Sequence, residues 1–337
     1  MALGILVVKC FKNLLQLTII RERRGSMILN DEIRKRIDNI IADRVHGASW
    51  LAKEAVQTLG LLAEKSKATG VKEFLRDLKD AGRELIKARP SMASIANSVG
   101  HVVYATVERA HRKDIDLNSL ESFATRKVTE AVDCQVRAIA SIAETASKLI
   151  KRKATVMTHS YSSTVLKTLE RCKDREIKVI VTESRPLYEG RRTAEELSGF
   201  GIPVTLVVDA ALGHHMSEVE IALVGADTVT SDGSVVNKIG TKMVALAAKA
   251  EEVPFYAACE TQKFEARAEF GRKIVVEEGS PMEVFDLEGF PNIEVRNFYF
   301  DTTPPDLVTG IITEEGIFKP PQIANYSKRF RKNLTWR

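Results

Sequence analysis

Six polar clusters stand where short apolar runs end, and their residue types suit the handling of anions and protons. They are Thr158-His159-Ser160-Tyr161-Ser162-Ser163, Thr182-Glu183-Ser184-Arg185-Pro186, Asp209-Ala210, Gly225-Ala226-Asp227, Asn237-Lys238-Ile239-Gly240-Thr241 and Glu260-Thr261-Gln262-Lys263. Hydroxyls, carboxylates and lysines gathered in this way fit a phosphorylated, hydroxyl-rich small molecule. In the turn from His159 to Thr164, free backbone N–H groups and a helix dipole would favour a phosphate. Simple helix capping by Ser162 or Ser163 explains the same residues, and both readings stay open. Asp227 follows an apolar run and two small residues, a place for a general acid or base; an Asp capping the next turn is the alternative. Lys238 and Lys263 could each pair with a phosphate. Glu183 and Asp209 could form a carboxylate pair. His214-His215 lacks partners at ligand spacing, so no metal is expected.

The elements that position these clusters change period near residue 150. From Asp31 to about Ile150 the pattern is helical: Ile33, Ile37 and Ile40, then Trp50, Leu51, Ala55, Leu59 and Leu62, then Phe74, Leu75, Leu78 and Leu85. The clearest stripe runs Val128, Val132, Val136, Ile139, Ala143, Ala146, Ile150. Breaks fall at Gly47, Gly70, Arg89-Pro90 and Asp114-Ile115-Asp116. Beyond Lys153 the runs shorten to Thr155–Met157, Ile177–Val181, Val204–Val208, Ile221–Val224 and Phe255–Ala258, as for strands buried on both faces. Helical stretches alternate with them at Val165–Cys172, Thr193–Phe200 and Lys242–Ala250, which implies a parallel sheet of crossover units. Ile293-Glu294-Val295 and Gly310-Ile311-Ile312 are expected to add late strands. In such a sheet, ligands bind beyond the carboxyl ends of the strands, where the polar clusters lie.

Composition narrows the class. The 337 residues are 44% hydrophobic and 28% charged with a net charge of +5, ordinary for a soluble globular protein of two domains. The one dense basic run, Ser327–Lys332 followed by Arg337, reads as a solvated tail, and no direct DNA contact is expected. Cys10, Cys134, Cys172 and Cys259 lie far apart, which fits a reducing, cytoplasmic setting; the last three are expected to be buried thiols. Residues 1–20 are too broken to span a bilayer, and no membrane partner is expected. Met27 precedes a helix-like segment, so 1–26 reads as an extension outside the fold. No Gly-x-Gly-x-x-Gly follows a strand and no Gly-x-x-x-x-Gly-Lys-Ser/Thr occurs, so dinucleotide and nucleoside triphosphate sites of the usual kinds are unsupported, and no cofactor is expected.

Taken together, Arg89-Pro90-Ser91-Met92-Ala93, Val181–Pro186, Val224–Asp227, Asn237–Thr241, Phe300–Pro305 and Ile311–Glu314 resemble one family over about residues 31–322. It unites the alpha, beta and delta subunits of translation initiation factor 2B with ribose-1,5-bisphosphate and methylthioribose-1-phosphate isomerases. The resemblance implies an α/β protein with a helical N-terminal domain (27–150) and a Rossmann-like C-terminal domain (151–322) with a mostly parallel sheet, followed by a basic tail (323–337). It implies substrate contacts at Gly47, Ala48, Ser49, Arg89, Ser162, Asn237, Lys238 and Lys263, and a homo-oligomer, at least a dimer.

Branch assignment turns on Ser160. The isomerases keep a cysteine here, which pairs catalytically with the aspartate matching Asp227; His46 likewise stands where they tend to have arginine. A thiol ionises near pH 8.5, whereas a serine hydroxyl needs an adjacent base. His159 is the neighbour, but consecutive strand residues face opposite sides of a sheet. The segment Thr-His-Ser-Tyr-Ser is more similar to the initiation-factor branch. The expectation is therefore a 2B subunit-like protein that binds initiation factor 2, influences its GDP/GTP exchange and keeps a sugar-phosphate or nucleotide pocket around Ser160 and Ser162. The alternative is an aldose–ketose isomerase on a phosphorylated ribose with Asp227 carrying the proton chemistry; a ligand-sensing oligomer with neither activity is the third.

Overall fold

A computed structural model describes residues 31–112, 115–265 and 277–336. The proposed extension 1–26, Met27, Cys10, Asp114 and Arg337 lie outside the described residues.

Helices fill the first half: α1 (Asp31–Ala42), α2 (Ala48–Glu64), α3 (Val71–Ala88), α4 (Ala93–Ala110) and α5 (Leu117–Ser147). The spacing of apolar residues sets which face each buries. Ile33, Ile37 and Ile40 of α1 lie under the surface with Leu51, Leu59, Phe74, Leu78 and Leu85. Helix boundaries fall where the sequence breaks: Gly47 and Gly70 precede α2 and α3, and Asp116 caps α5 by accepting from the Ser119 N–H. The α5 stripe is only partly core. Val128, Ala143 and Ala146 are buried, but Val136 is 60% exposed, because this side of α5 borders a cleft rather than a neighbouring helix. Cys134, expected to be buried, is exposed on the same helix.

The second half alternates strand and helix: β1 (Thr155–His159), α6 (Ser163–Glu170), β2 (Lys178–Thr182), α7 (Glu189–Gly199), β3 (Val204–Val207), α8 (Leu212–His215), β4 (Ile221–Val224), β5 (Thr228–Val229), β6 (Val235–Lys238), α9 (Thr241–Ala250), β7 (Phe255–Ala258), β8 (Phe300–Thr303), β9 (Gly310–Thr313), β10 (Gly316–Phe318) and α10 (Ile323–Ser327). The main sheet has the order β10-β9-β7-β4-β1-β2-β3, parallel except for β10. Successive strand residues enter opposite cores. Val156, Ile221 and Leu223 join the cluster under α5 and α6, while Met157, Ala222 and Val224 join the one under α9. This two-sided burial is why the strands read as continuous apolar runs.

Three expectations need correction. Ile293–Val295 forms no strand; Ile293 is exposed, and the late strand is Phe300–Thr303, which pairs antiparallel with β6 in a small β5-β6-β8 sheet. A polar-looking Asn-Lys pair concealed β6. The basic tail is also not simply solvated. Residues 328–334 form a 3-10 segment against α4, and Trp336 enters the helical core beside Gly82 with its indole N–H donating to the Asn333 carbonyl at 2.6 Å. Its anchors, Asn333, Leu334 and Trp336, lie just beyond the basic run that dominates the sequence. Finally, β3 is an edge strand with Leu206 46% exposed.

Trp336→Ala should lower unfolding free energy by about 3–5 kcal/mol, as for large-to-small core changes, measured by urea denaturation. A change within 0.5 kcal/mol would show that the C-terminal segment does not hold the helical half.

Candidate functional site

The sheet order reverses between β1 and β4, and the crevice outside their carboxyl ends is where an open parallel sheet binds ligands. Here β1 delivers Ser160 and β4 delivers Asp227. Both line a cleft of about 280 Å³, together with Gly47, Ala48, Ser49, Arg89, Ser162, Asn237, Lys238 and Lys263. Ser160, Asp227 and the contacts that the resemblance implied therefore border one cavity, although they come from elements spread between residues 47 and 263.

Each arrives for a local reason. Gly47 is the N-cap residue of α2, so Ala48 and Ser49, which line the cleft, form its first turn, where backbone N–H groups have no partner within the helix. Ser162 caps α6 by accepting from the Val165 N–H, so the capping reading and the cleft reading hold together. A Cβ on Gly225 would lie 2.7 Å from Ser162 Oγ, so β4 can pass this close only without a side chain. Arg89 ends α3 and donates to the Asp43 carbonyl at 2.7 Å, with its Nε 3.1 Å from Glu277 Oε2. Asn237 donates to Thr241 Oγ1 at 3.0 Å. Lys238 Nζ sits 2.6 Å from Glu189 Oε1, and Lys263 Nζ 3.5 Å from Glu260 Oε2.

Ser160 occupies a left-handed turn (φ 65°), its N–H donating to Ser184 Oγ at 2.7 Å and its carbonyl accepting from Thr193 Oγ1 at 2.8 Å. His159 is turned away, as strand alternation requires. Its Nε2 contacts the Ile239 carbonyl at 2.8 Å, which makes that nitrogen the donor, and Nδ1 contacts Thr182 Oγ1 at 2.5 Å. Burial holds His159 below the usual histidine range, so it is a neutral strut with no base for Ser160. Gly240, at φ +102°, packs against this imidazole so closely that a Cβ would meet Cε1 at 2.8 Å.

Asp227 is the carboxyl of the cleft whose protonation is most perturbed towards the neutral form. Burial raises its carboxyl above the ordinary range, against the opposing pull of Lys263, Lys238 and Arg89. Burial alone would lower Lys263, but Glu260 and Asp227 outweigh it and hold the ammonium above its usual value.

Other sequence candidates fall outside the cleft. Glu183 pairs with Arg191 at 2.8 Å, whereas Asp209 accepts the Ser184 and Arg185 N–H groups at 2.8 and 2.7 Å, so they form no carboxylate pair. His215 contacts Glu218 at 3.0 Å, and no cluster of three metal-ligating side chains occurs among the described residues. Sequence reading missed Glu189, Arg44, Lys53 and Arg192, which also line the cleft. Glu189 opens α7 just past the cluster ending in Pro186, so the rule of polar residues at strand ends could have reached it. His46, in the place of an expected arginine, stacks on Trp50 with ring centroids 3.7 Å apart and contacts Asp43 Oδ2 at 2.8 Å.

Comparison with known proteins places the whole arrangement. The Initiation factor 2 subunit family matches residues 44–320. The chain belongs to this family. Within it, the chain is 38% identical over 86% of its length to the ribose 1,5-bisphosphate isomerase of Thermococcus kodakarensis, covering 90% of that protein. It is 37% identical over 88% of its length to the protein of the same name from Pyrococcus furiosus, covering 93% of it. Among solved structures, the Pyrococcus horikoshii OT3 translation initiation factor eIF-2B superposes with a TM-score of 0.75 at 34% identity, over 87% of this chain and 99% of that one. The family and its helix-then-parallel-sheet fold are thus as expected. The exchange-factor role is not: similarity to isomerases over 86–88% of the chain, repeated in further proteins of that name, overturns it in favour of the alternative. Ser160 and His46 are local departures, whereas the similarity to isomerases extends over 86–88% of the chain.

One titration checks the electrostatics of this region. Asp301 accepts from the Gly240 and Lys242 N–H groups, yet burial leaves its carboxyl pushed up to about 6. The folded state then binds this proton more tightly than the unfolded state. The stability it contributes is full below pH 4 and is lost as pH rises through 6. Unfolding free energy of the Asp301→Asn variant should fall less than wild type across that window; parallel curves would refute the assignment.

Proposed function

We propose that the cleft takes a phosphorylated ribose and converts the aldose to its ketose. The observation that carries the reading is the desolvated Asp227 carboxyl at the sheet's switch point, facing Lys238, Lys263, Arg89 and the first turns of two helices in one cavity. The names of the relatives supply the substrate class. Isomerisation removes the C2 hydrogen and the O2 proton and adds hydrogen at C1 and on the former ring oxygen. A carboxyl whose proton is held above the usual range can give a proton in one step and take one in another. The cations and the N–H groups of Ala48, Ser49 and Ser163 would hold phosphate. Ser160 can donate or accept a hydrogen bond but forms no anion near neutrality, so the proton traffic falls to Asp227.

Two wider readings belong to the same proposal. A cytoplasmic setting is supported by three unpaired cysteines, and no helix of the described residues is long and apolar enough to cross a membrane. A homo-oligomer, at least a dimer, is supported by Met243 and Leu246 standing 57% and 43% exposed on α9. Sedimentation should give a species larger than one chain.

Purified protein incubated with ribose 1,5-bisphosphate should form the ketose. Asp227→Asn should cut turnover by about 10²–10⁴-fold, whereas Ser160→Cys should raise it, since a thiolate becomes accessible. No ketose from the wild type, or full activity in Asp227→Asn, would overturn the proposal.

A further inference from the structure

We propose that Glu260 is a positioning residue for the cleft: it holds the Lys263 ammonium from behind, and so sets how much of that charge reaches Asp227. The inference rests on Asp227 being the proton-handling group proposed above. Glu260 and Lys263 bracket the turn Thr261–Lys263 that follows β7, and the Lys263 N–H donates to the Glu260 carbonyl at 2.9 Å. Both side chains are almost wholly out of solvent, with exposures of 3% and 6%.

Lys263 is a wall between two cavities. On one side it lines the cleft with Asp227; on the other it lines a rear cavity with Glu260, Gln262 and Glu314. One ammonium is therefore shared by a carboxylate in front and a carboxylate behind. The rear carboxylate has few other claims on it: the contact with Lys263 at 3.5 Å is an ion pair, and the Ser49 side chain is the other group that favours its charge. Burial opposes its ionisation, but Lys263 prevails and holds the Glu260 carboxyl below the usual range. A buried charge left with half a partner pulls strongly on the other half. Without Glu260, Lys263 would turn its whole charge on Asp227 and ease its ionisation. The remaining groups stay in place: Asp227 is still faced by Lys238, Arg89 and Glu277, and Glu314 is held by the Thr261 N–H and hydroxyl.

The test follows the carboxyl carbon of Asp227 by NMR in protein labelled with ¹³C-aspartate, with no substrate present. Glu260→Gln should lower the Asp227 midpoint by about one pH unit. In the Lys263→Met background Glu260 has no cation to share, so the same change should move the midpoint less than half as far. An unmoved midpoint, or equal movement in both backgrounds, overturns the proposal. If Glu260→Gln does not fold, Glu260→Asp, which draws the carboxylate back by one methylene, must shift the midpoint in the same direction by less, and no shift overturns it. Because the titration needs no turnover, its failure is distinct from a failure to form ketose.

Discussion

Buried ion pairing is the constraint on which the cleft depends. Three of its cations have been taken out of water, and each has a carboxylate to hold it: Lys238 with Glu189, Lys263 with Glu260, Arg89 with Glu277. Removing a partner from such a pair typically costs about 3–5 kcal/mol, because the charge left behind has no water to turn to. The pairs also cross the architecture. Arg89 ends a helix of the first half and Glu277 belongs to the second, so charge pairing and packing both join the halves at the site. Val236 and Phe300 of the small sheet, with Tyr299 just before β8, enter the helical core at the same junction.

This arrangement suits an anionic, hydroxylated ligand. Cations neutralised by fixed carboxylates keep the empty cleft from accumulating positive charge, yet remain able to donate hydrogen bonds. The same low-dielectric surroundings lift Asp227. A carboxyl that is easily ionised would be a poor acid, and one screened by water would be little perturbed. Placing it past β4, behind two small residues, satisfies both demands.

Much of this was legible in sequence because the periodicities are strong. Ile33, Ile37 and Ile40 mark a helix, and the run Ile221–Val224 marks a strand buried on both faces. The polar residues after such runs led to Ser160 and Asp227 without any structure. Gly47, Ala48, Ser49 and Arg89 were reached only by resemblance, since a glycine before a helix carries no signal of what its N–H groups face. Glu189 was missed because an ion pair between residues 189 and 238 leaves no local pattern, whereas Glu260 stood in a named cluster, three residues from Lys263, without being read as its partner. Trp336 was hidden behind a basic run that suggested solvent. The functional branch was misjudged for a related reason: Ser160 is one conspicuous residue, whereas the similarity to isomerases is spread over most of the chain.

Deuterium tracing tests the account most directly. The protein would be incubated with ribose 1,5-bisphosphate in D₂O and the ketose examined by NMR. Proton transfer through Asp227 predicts deuterium at C1 of the product, with ketose and label both lost in Asp227→Asn. Ketose formed at an undiminished rate by Asp227→Asn, with or without deuterium, would contradict the account.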